Sequence, residues 1–234
     1  MRSIPILMYH SINDDNNPLS VSKLNFEKQM FFLSKNKFDT IKFEDLDYNI
    51  GKKKIIITFD DGYKNLIDNA LPILKKYNFT AVCFFVSNHI GQYNFWDENK
   101  KNFSKLNLMN LDDIKYWLNN KMLIGSHTSD HFNLKKINLD EKLNQISQPK
   151  LFFKKNFQIE IDYFSYPFGQ YDNDSLNIVK KYYKYAVTTK RSRYKENKFN
   201  TFELPRVSVN KNDGMFKFFL KIKTIYEDIK FNEN

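Results

Sequence analysis

The sequence predicts an α/β fold whose parallel strands close into a barrel, and three observations carry that prediction. Short β-branched or aromatic runs alternate with segments of helical spacing along the 234 residues. The run Ile55-Ile56-Ile57-Thr58-Phe59 has no polar face, so it reads as a strand buried on both sides, and it stops abruptly at Asp60-Asp61-Gly62. Six glycines and six prolines are few, and no Ser/Gly/Pro-rich linker interrupts the chain, so residues 1–234 read as a single domain. The alternation suits right-handed crossovers and a parallel sheet, open or closed; with roughly seven or eight strands, closure is favoured over a flat sheet.

In chain order, residues 4–9 read as a first strand and 13–17 as a polar loop. Phe26, Met30 and Leu33 then share one helical face. Residues 38–43 are a second strand candidate, followed by a basic turn at 51–54 and the central strand at 55–59. Leu66, Ala70, Ile73 and Leu74 mark an amphipathic helix kinked by Pro72, before a strand at 80–86. Leu111, Ile114 and Leu118 form a helix face ahead of the strand 122–124, and Leu139, Leu143 and Ile146 another ahead of 161–166. Leu176, Val179 and Tyr183 precede the strand 185–189, and a last strand at 204–209 leads into a helix rich in Phe and Ile.

Composition sets outer bounds. Hydrophobic residues make up 41%, ample for a sizeable core. The 37 basic against 27 acidic residues give +10, but the lysines are spread along the chain and no nucleic-acid motif accompanies them, so they read as a solvated surface. Cys83, the only cysteine, lies in an apolar run and reads as a core residue. No apolar run approaches membrane-spanning length, and residues 1–10 are too soon interrupted for a signal peptide, which makes the chain cytoplasmic by default.

Asp60 and Asp61 stand at the carboxyl end of their strand, where α/β folds keep their chemistry; the alternative is a plain turn at Asp61-Gly62 with Asp60 as a cap. His127 and His131 follow the strand 122–124 and can face one point if their segment coils as a helical turn, although this spacing also arises by chance. Two histidines and one aspartate would make a divalent-metal site with open positions, leaving the other aspartate as a general base. Chemistry alone does not decide which aspartate takes which role.

Taken together, Thr58-Phe59-Asp60-Asp61-Gly62, His127-Thr128-Ser129-Asp130-His131 and Phe164-Ser165-Tyr166-Pro167-Phe168-Gly169 resemble the ordered motifs of the polysaccharide deacetylase family, carbohydrate esterase family 4, over residues 4–210. The resemblance implies a distorted (β/α)7 barrel and one divalent metal, zinc or else cobalt or nickel. It implies Asp60 as base, Asp61, His127 and His131 as ligands, and a substrate-lining segment Tyr166, Pro167, Phe168 and Gly169. The Phe168 N–H would help hold the oxyanion.

Three departures stand out. Ser165 occupies the place of an arginine common in the family, no Asp-x-x-Asp-Trp motif lies near 186–189, and no histidine follows His131 to serve as the usual general acid. Met8-Tyr9-His10 and Leu204-Pro205-Arg206 are similar to segments of the biofilm poly-N-acetylglucosamine deacetylases, a circularly rearranged branch. That likeness implies His10 as the replacement acid and Arg206 as the residue that orients Asp60; the plain alternatives are a strand-end histidine and a surface ion pair. His89 has no motif around it and reads as structural, and Trp96 reads as packing in a long loop. The expected activity is removal of acetyl groups from an N-acetylglucosamine-containing oligo- or polysaccharide. A polysaccharide O-acetyl esterase and a catalytically impaired glycan-binding module are the alternatives.

Overall fold

The computed structural model describes residues 3–46, 53–100, 103–195 and 198–230. Seven strands form the ring: β1 (Ile6–Tyr9), β2 (Lys53–Phe59), β3 (Val82–Phe85), β4 (Leu123–Ser126), β5 (Tyr163–Ser165), β6 (Tyr185–Arg191) and β7 (Leu204–Ser208). Every adjacent pair is parallel, and β1 closes the ring by pairing with both β7 and β2. All seven carboxyl ends therefore open on one rim.

Outside the ring run α1 (Lys23–Lys35), α2 (Leu71–Lys76), α3 (Leu111–Asn119), α4 (Leu139–Phe157), α5 (Asn173–Tyr182), α6 (Met215–Lys223) and α7 (Tyr226–Lys230). Among the described residues no helix is long and apolar enough to cross a membrane.

Period-two alternation along the strands splits the core in two. Leu7, Ile55, Ile57, Phe59 and Cys83 belong to the larger cluster, which includes the buried helix residues Phe26, Ile114 and Phe153. Ile6, Ile56, Val82, Phe84, Tyr163, Val187 and Leu204 form the second. The next alternate positions above that second cluster are Thr58, Asp60, Ser165 and Arg206, so the interior turns polar just below the rim. Gly125 makes room for this packing, since a Cβ there would lie 2.6 Å from Phe84 Cδ1.

Several expectations need correction. The second strand candidate covers only Phe38–Thr40 and pairs with β2 outside the ring; the Lys42 N–H is taken by the Asp45 carboxylate at 3.1 Å, which starts a 3-10 turn instead. The basic turn at 51–54 begins outside the described residues, and Lys53 and Lys54 already belong to β2. A π-helical turn, Leu66–Ala70, marks the irregularity before Pro72, which itself sits in the first turn of α2. In α4, Leu139 and Leu143 point to solvent, 57% and 39% exposed. The buried face is instead Lys142, Gln145, Ile146, Pro149 and Phe153, because Gln145 hydrogen-bonds the 127–131 loop and Lys142 pairs with Asp172. The carboxyl-terminal helix is two helices, α6 and α7.

Candidate active site

Backbone strain marks the site before any side chain is considered. Among the described residues eight non-glycine residues have positive φ; Lys37, Asn78, Lys121 and Gln158 fall at the ends of α1 to α4, where a left-handed residue commonly stops a helix. The other four are Asp61, Thr128, His131 and Phe168, all on the carboxyl rim. Left-handed backbone in such residues persists only where the surroundings enforce it.

Asp60 ends β2 pointing into the barrel, and consecutive positive φ at Asp61 (72°) and Gly62 (75°) swing the second carboxylate across the rim. Gly62 is required there, because a Cβ would stand 2.5 Å from Phe85 Cδ1. The histidine segment does not coil as a helical turn. Thr128 (φ 68°) and His131 (φ 60°) bend it instead, the Thr128 hydroxyl accepts the His131 N–H at 3.0 Å, and Gln145 grips Asp130 through its N–H and its carboxylate, at 2.8 and 2.6 Å.

The two aspartates end in opposite environments. Arg206 is fully buried and binds Asp60 with both ends of its fork, Nη1 to Oδ1 at 2.8 Å and Nη2 to Oδ2 at 2.7 Å. Its other donors reach Thr188 O (2.9 Å), Thr58 Oγ1 (3.2 Å) and Ser165 Oγ (3.2 Å), so all five guanidinium N–H groups are used. The surface ion pair that sequence allowed for Arg206 is thus excluded. Burial alone would raise the Asp60 pKa, but the Arg206 guanidinium outweighs it and holds this carboxyl well below the usual range.

Asp61 has no such partner. Its Oδ1 is buried without a hydrogen bond and faces His131 Nε2 at 3.3 Å and His127 Nε2 at 3.5 Å. Burial, opposed by His10 and His127, leaves its pKa raised. His127 Nδ1 lies 2.8 Å from the Ser165 carbonyl, which can only accept, so Nδ1 carries the proton and Nε2 turns a lone pair toward Asp61. Burial lowers the His127 pKa and pushes that of His131 down to about 3, so both rings are neutral at pH 7. One ligand atom from each of Asp61, His127 and His131 falls within 4.8 Å of the others. A carboxylate oxygen without a donor, facing two neutral imidazole nitrogens, is a donor set that fits a divalent cation.

His10 follows β1 directly, half-buried, with its Nδ1 lacking a protein partner. Burial lowers its pKa against the pull of Asp61 and Asp60, and the carbonyl of its neighbour Tyr9 accepts the Asp60 N–H at 3.0 Å. Pro167–Gly169 is a 3-10 turn in which Phe168 takes φ 58°. The Phe168 ring is 44% exposed and meets the His131 ring edge-on at 4.6 Å. Gly169 is packed so closely that a Cβ would lie 1.9 Å from Thr189 Oγ1. Tyr166 does not line an open surface: it is fully buried, stacks on Tyr171 and donates its hydroxyl to Phe202 O at 3.1 Å.

Three features escaped the sequence reading. Thr58 and Ser165 share the polar layer with Asp60, which strict period two from Ile56 and Tyr163 would have indicated. The Thr188 carbonyl has no sequence signal. Trp96 packs, as expected, but on His131 itself, with ring centroids 4.5 Å apart and planes at 19°.

Comparison with known proteins agrees with this geometry. The family profile described as polysaccharide deacetylase matches residues 47–187, which include Asp60, Asp61, His127, His131 and 166–169 but neither His10 nor Arg206. YxkH of Bacillus subtilis is 31% identical over 193 residues, 80% of this chain and 64% of that protein, so this chain spans less than two thirds of its length. The poly-beta-1,6-N-acetyl-D-glucosamine N-deacetylase of Staphylococcus aureus is 30% identical over 217 residues, 86% of this chain and 71% of that one. Among solved structures, a polysaccharide deacetylase of Bacillus cereus superposes with a TM-score of 0.81 at 27% identity, over 95% of this chain and 69% of that one. IcaB from Ammonifex degensii shares the fold, with a TM-score of 0.77 at 18% identity over 90% and 93% of the two chains. A barrel of seven parallel strands, the ordered motifs on its rim and these relatives together establish that the chain belongs to the polysaccharide deacetylase family.

Proposed function

We propose that this chain is a metal-dependent hydrolase that removes acetyl groups from an N-acetylglucosamine-containing glycan. One observation carries the reading: of two adjacent buried carboxylates, Asp60 is fully engaged by Arg206, while Asp61 has a bare oxygen facing two imidazole Nε2 atoms. Asp61, His127 and His131 would hold the cation, zinc or else cobalt or nickel. Bound there, a divalent ion would acidify a water molecule and polarise the acetyl carbonyl.

The remaining work falls to the chain itself. Asp60 stays ionised because Arg206 holds it so, and it accepts the proton lost by the attacking water. Arg206 occupies one lone pair on each Asp60 oxygen and fixes the carboxylate plane; the Ser165 hydroxyl approaches Oδ2 at 3.4 Å, which leaves the second lone pair of Oδ1 for that proton. The Phe168 N–H, in the turn whose aromatic ring meets His131, is the donor for charge developing on the acetyl oxygen. His10 stands on the same rim and, in its protonated form, which Asp60 and Asp61 favour and burial opposes, gives the leaving amine its proton. The products are then free acetate and a glucosamine unit.

Similarity to the Staphylococcus aureus N-deacetylase favours N-acetyl over O-acetyl substrates. The test is acetate release from β-1,6-linked N-acetylglucosamine oligomers, with O-acetylated xylan oligomers as the competing substrate. Release should stop after chelation, return with added zinc, cobalt or nickel, and fall by about 100-fold or more in Asp60→Asn. Metal and sugar binding without any turnover would point to a glycan-binding module, and preference for xylan to an esterase.

A further inference from the structure

We infer that Trp96 is the positioning residue for His131, setting by ring stacking an orientation that a hydrogen bond sets for His127; the inference rests on the metal-dependent reading above. The two imidazoles present the same atom, Nε2, to Asp61, yet they are held differently. His127 is fixed at its far side by Nδ1 on the Ser165 carbonyl at 2.8 Å. His131 Nδ1 is buried with no hydrogen-bond partner in the protein. A metal-binding histidine ordinarily donates its second N–H to an acceptor, and that bond fixes the ring.

For His131 the fixing contacts are aromatic. The Trp96 indole lies nearly parallel to it, at 4.5 Å and 19°, and Phe168 closes the other approach edge-on at 4.6 Å. Turning the imidazole about its Cβ–Cγ bond would break the parallel contact and drive its edge into the indole. The ring contacts of Trp96 are with His131, His89 and Phe95, so it acts through His131.

A stacking partner can orient a ligand only if it is itself held in place, and Trp96 is braced by its surroundings. Trp96 packs against the larger core cluster. Beside it, Asn94 ties its loop together by donating to Ser104 O (3.1 Å) and accepting from Leu106 N (2.8 Å), and the Tyr93–Asn107 and Tyr63–Leu108 bridges clamp the loop ends. His89, which the sequence left without a role, completes the arrangement. Its ring lies 4.2 Å from Phe95, and its Nε2 is 3.1 Å from Asp130, the neighbour of His131. Contacts thus run in a closed circuit from Trp96 to His131, Asp130, His89, Phe95 and back.

The experiment measures zinc affinity by competition with a chromophoric chelator for wild type, Trp96→Ala and Trp96→Phe, together with KM for N-acetylglucosamine oligomers and apo-protein melting. Trp96→Ala should weaken zinc binding about tenfold, the low end of what outer-sphere partners contribute. Trp96→Phe should retain most of the affinity, and KM should be unchanged once the site is saturated with zinc. Equal zinc affinity in wild type and Trp96→Ala overturns the inference, as does a raised KM with unchanged affinity, which would make Trp96 a sugar platform. Should Trp96→Ala fail to fold, Trp96→Leu keeps apolar volume without a ring and carries the same expectation. Absence of zinc binding by the wild type would instead sink the metal-dependent reading itself.

Discussion

Replacing Arg206 by Met exposes how much the site depends on one buried guanidinium. The change removes five hydrogen bonds, two of them to Asp60, and leaves a carboxylate 2% exposed with only the Ser165 hydroxyl, at 3.4 Å, beside it. Breaking a buried ion pair from one side costs about 3–5 kcal/mol, because the remaining charge is neither solvated nor compensated. For a chain of this size that corresponds to a fall in melting temperature of roughly 6–20 °C. The assay is urea unfolding of wild type, Arg206→Met, Asp60→Asn and the double variant. Asp60→Asn alone should also destabilise, since it strands Arg206, but the double variant should regain most of the loss, giving a coupling well above about 1 kcal/mol. An Arg206→Met protein within about 1 kcal/mol of wild type, or additive single effects, would refute the argument that the pair is a closed electrostatic unit.

Two further outcomes follow from the geometry. Gly169→Ala places a methyl 1.9 Å from Thr189 Oγ1 at φ 65°, so it should cost about 1–3 kcal/mol in thermal unfolding and lower kcat more than KM by displacing Phe168; an active, equally stable variant would contradict this. At the carboxyl-terminal helices, burial pushes the Asp228 carboxyl up, but the Arg193 N–H and guanidinium and Lys195 outweigh it and hold it at about 2. A depressed carboxyl contributes stability above its unfolded value near 4 and loses it as pH falls through the folded value. Asp228→Asn should therefore unfold at lower urea than wild type at pH 6, with the gap closing between about pH 4 and pH 2; a gap that persists at pH 2 would point to packing instead.

The alternation of strands and helices and the two motif-bearing segments were legible because they depend on local pattern. Apolar runs bounded by turn residues locate strands, and a parallel sheet puts every strand end on one rim, so Asp60, Asp61, His127 and His131 could converge there. Helix faces were read less well: Leu139 and Leu143 fit the period, but Gln145 and Lys142 win the buried side through hydrogen bonds to residues that sequence does not place nearby. The left-handed turns at Thr128 and His131 carried no usable signal, since the β-branched Thr128 disfavours that conformation and the enrichment of histidine there does not single out one residue. Trp96 is the clearest limit. A lone tryptophan in a long loop contains nothing that assigns it to His131; only the folded loop, clamped at both ends, brings the rings together.

Counting charge in the site shows why two carboxylates can share it. Asp60 and Asp61 contribute −2, Arg206 contributes +1 and the two metal-facing imidazoles are neutral, so the buried group carries −1, located on Asp61. A divalent ion at the proposed site would turn this to +1, and the sum would stay at +1 as the water's proton passes to Asp60 and one unit of negative charge develops on the acetyl oxygen. The same count implies that the metal-free protein is strained by its own ligand. Asp61→Asn keeps the shape, and Asn tolerates positive φ as readily as Asp, but the unpaired charge is gone. Removing a buried group that lacks a partner should make the chelator-treated protein more stable by about 1–3 kcal/mol in urea unfolding, while zinc affinity falls steeply. If apo Asp61→Asn is instead less stable than apo wild type, the Asp61 charge is compensated within the protein, and the case for a cation at that oxygen fails.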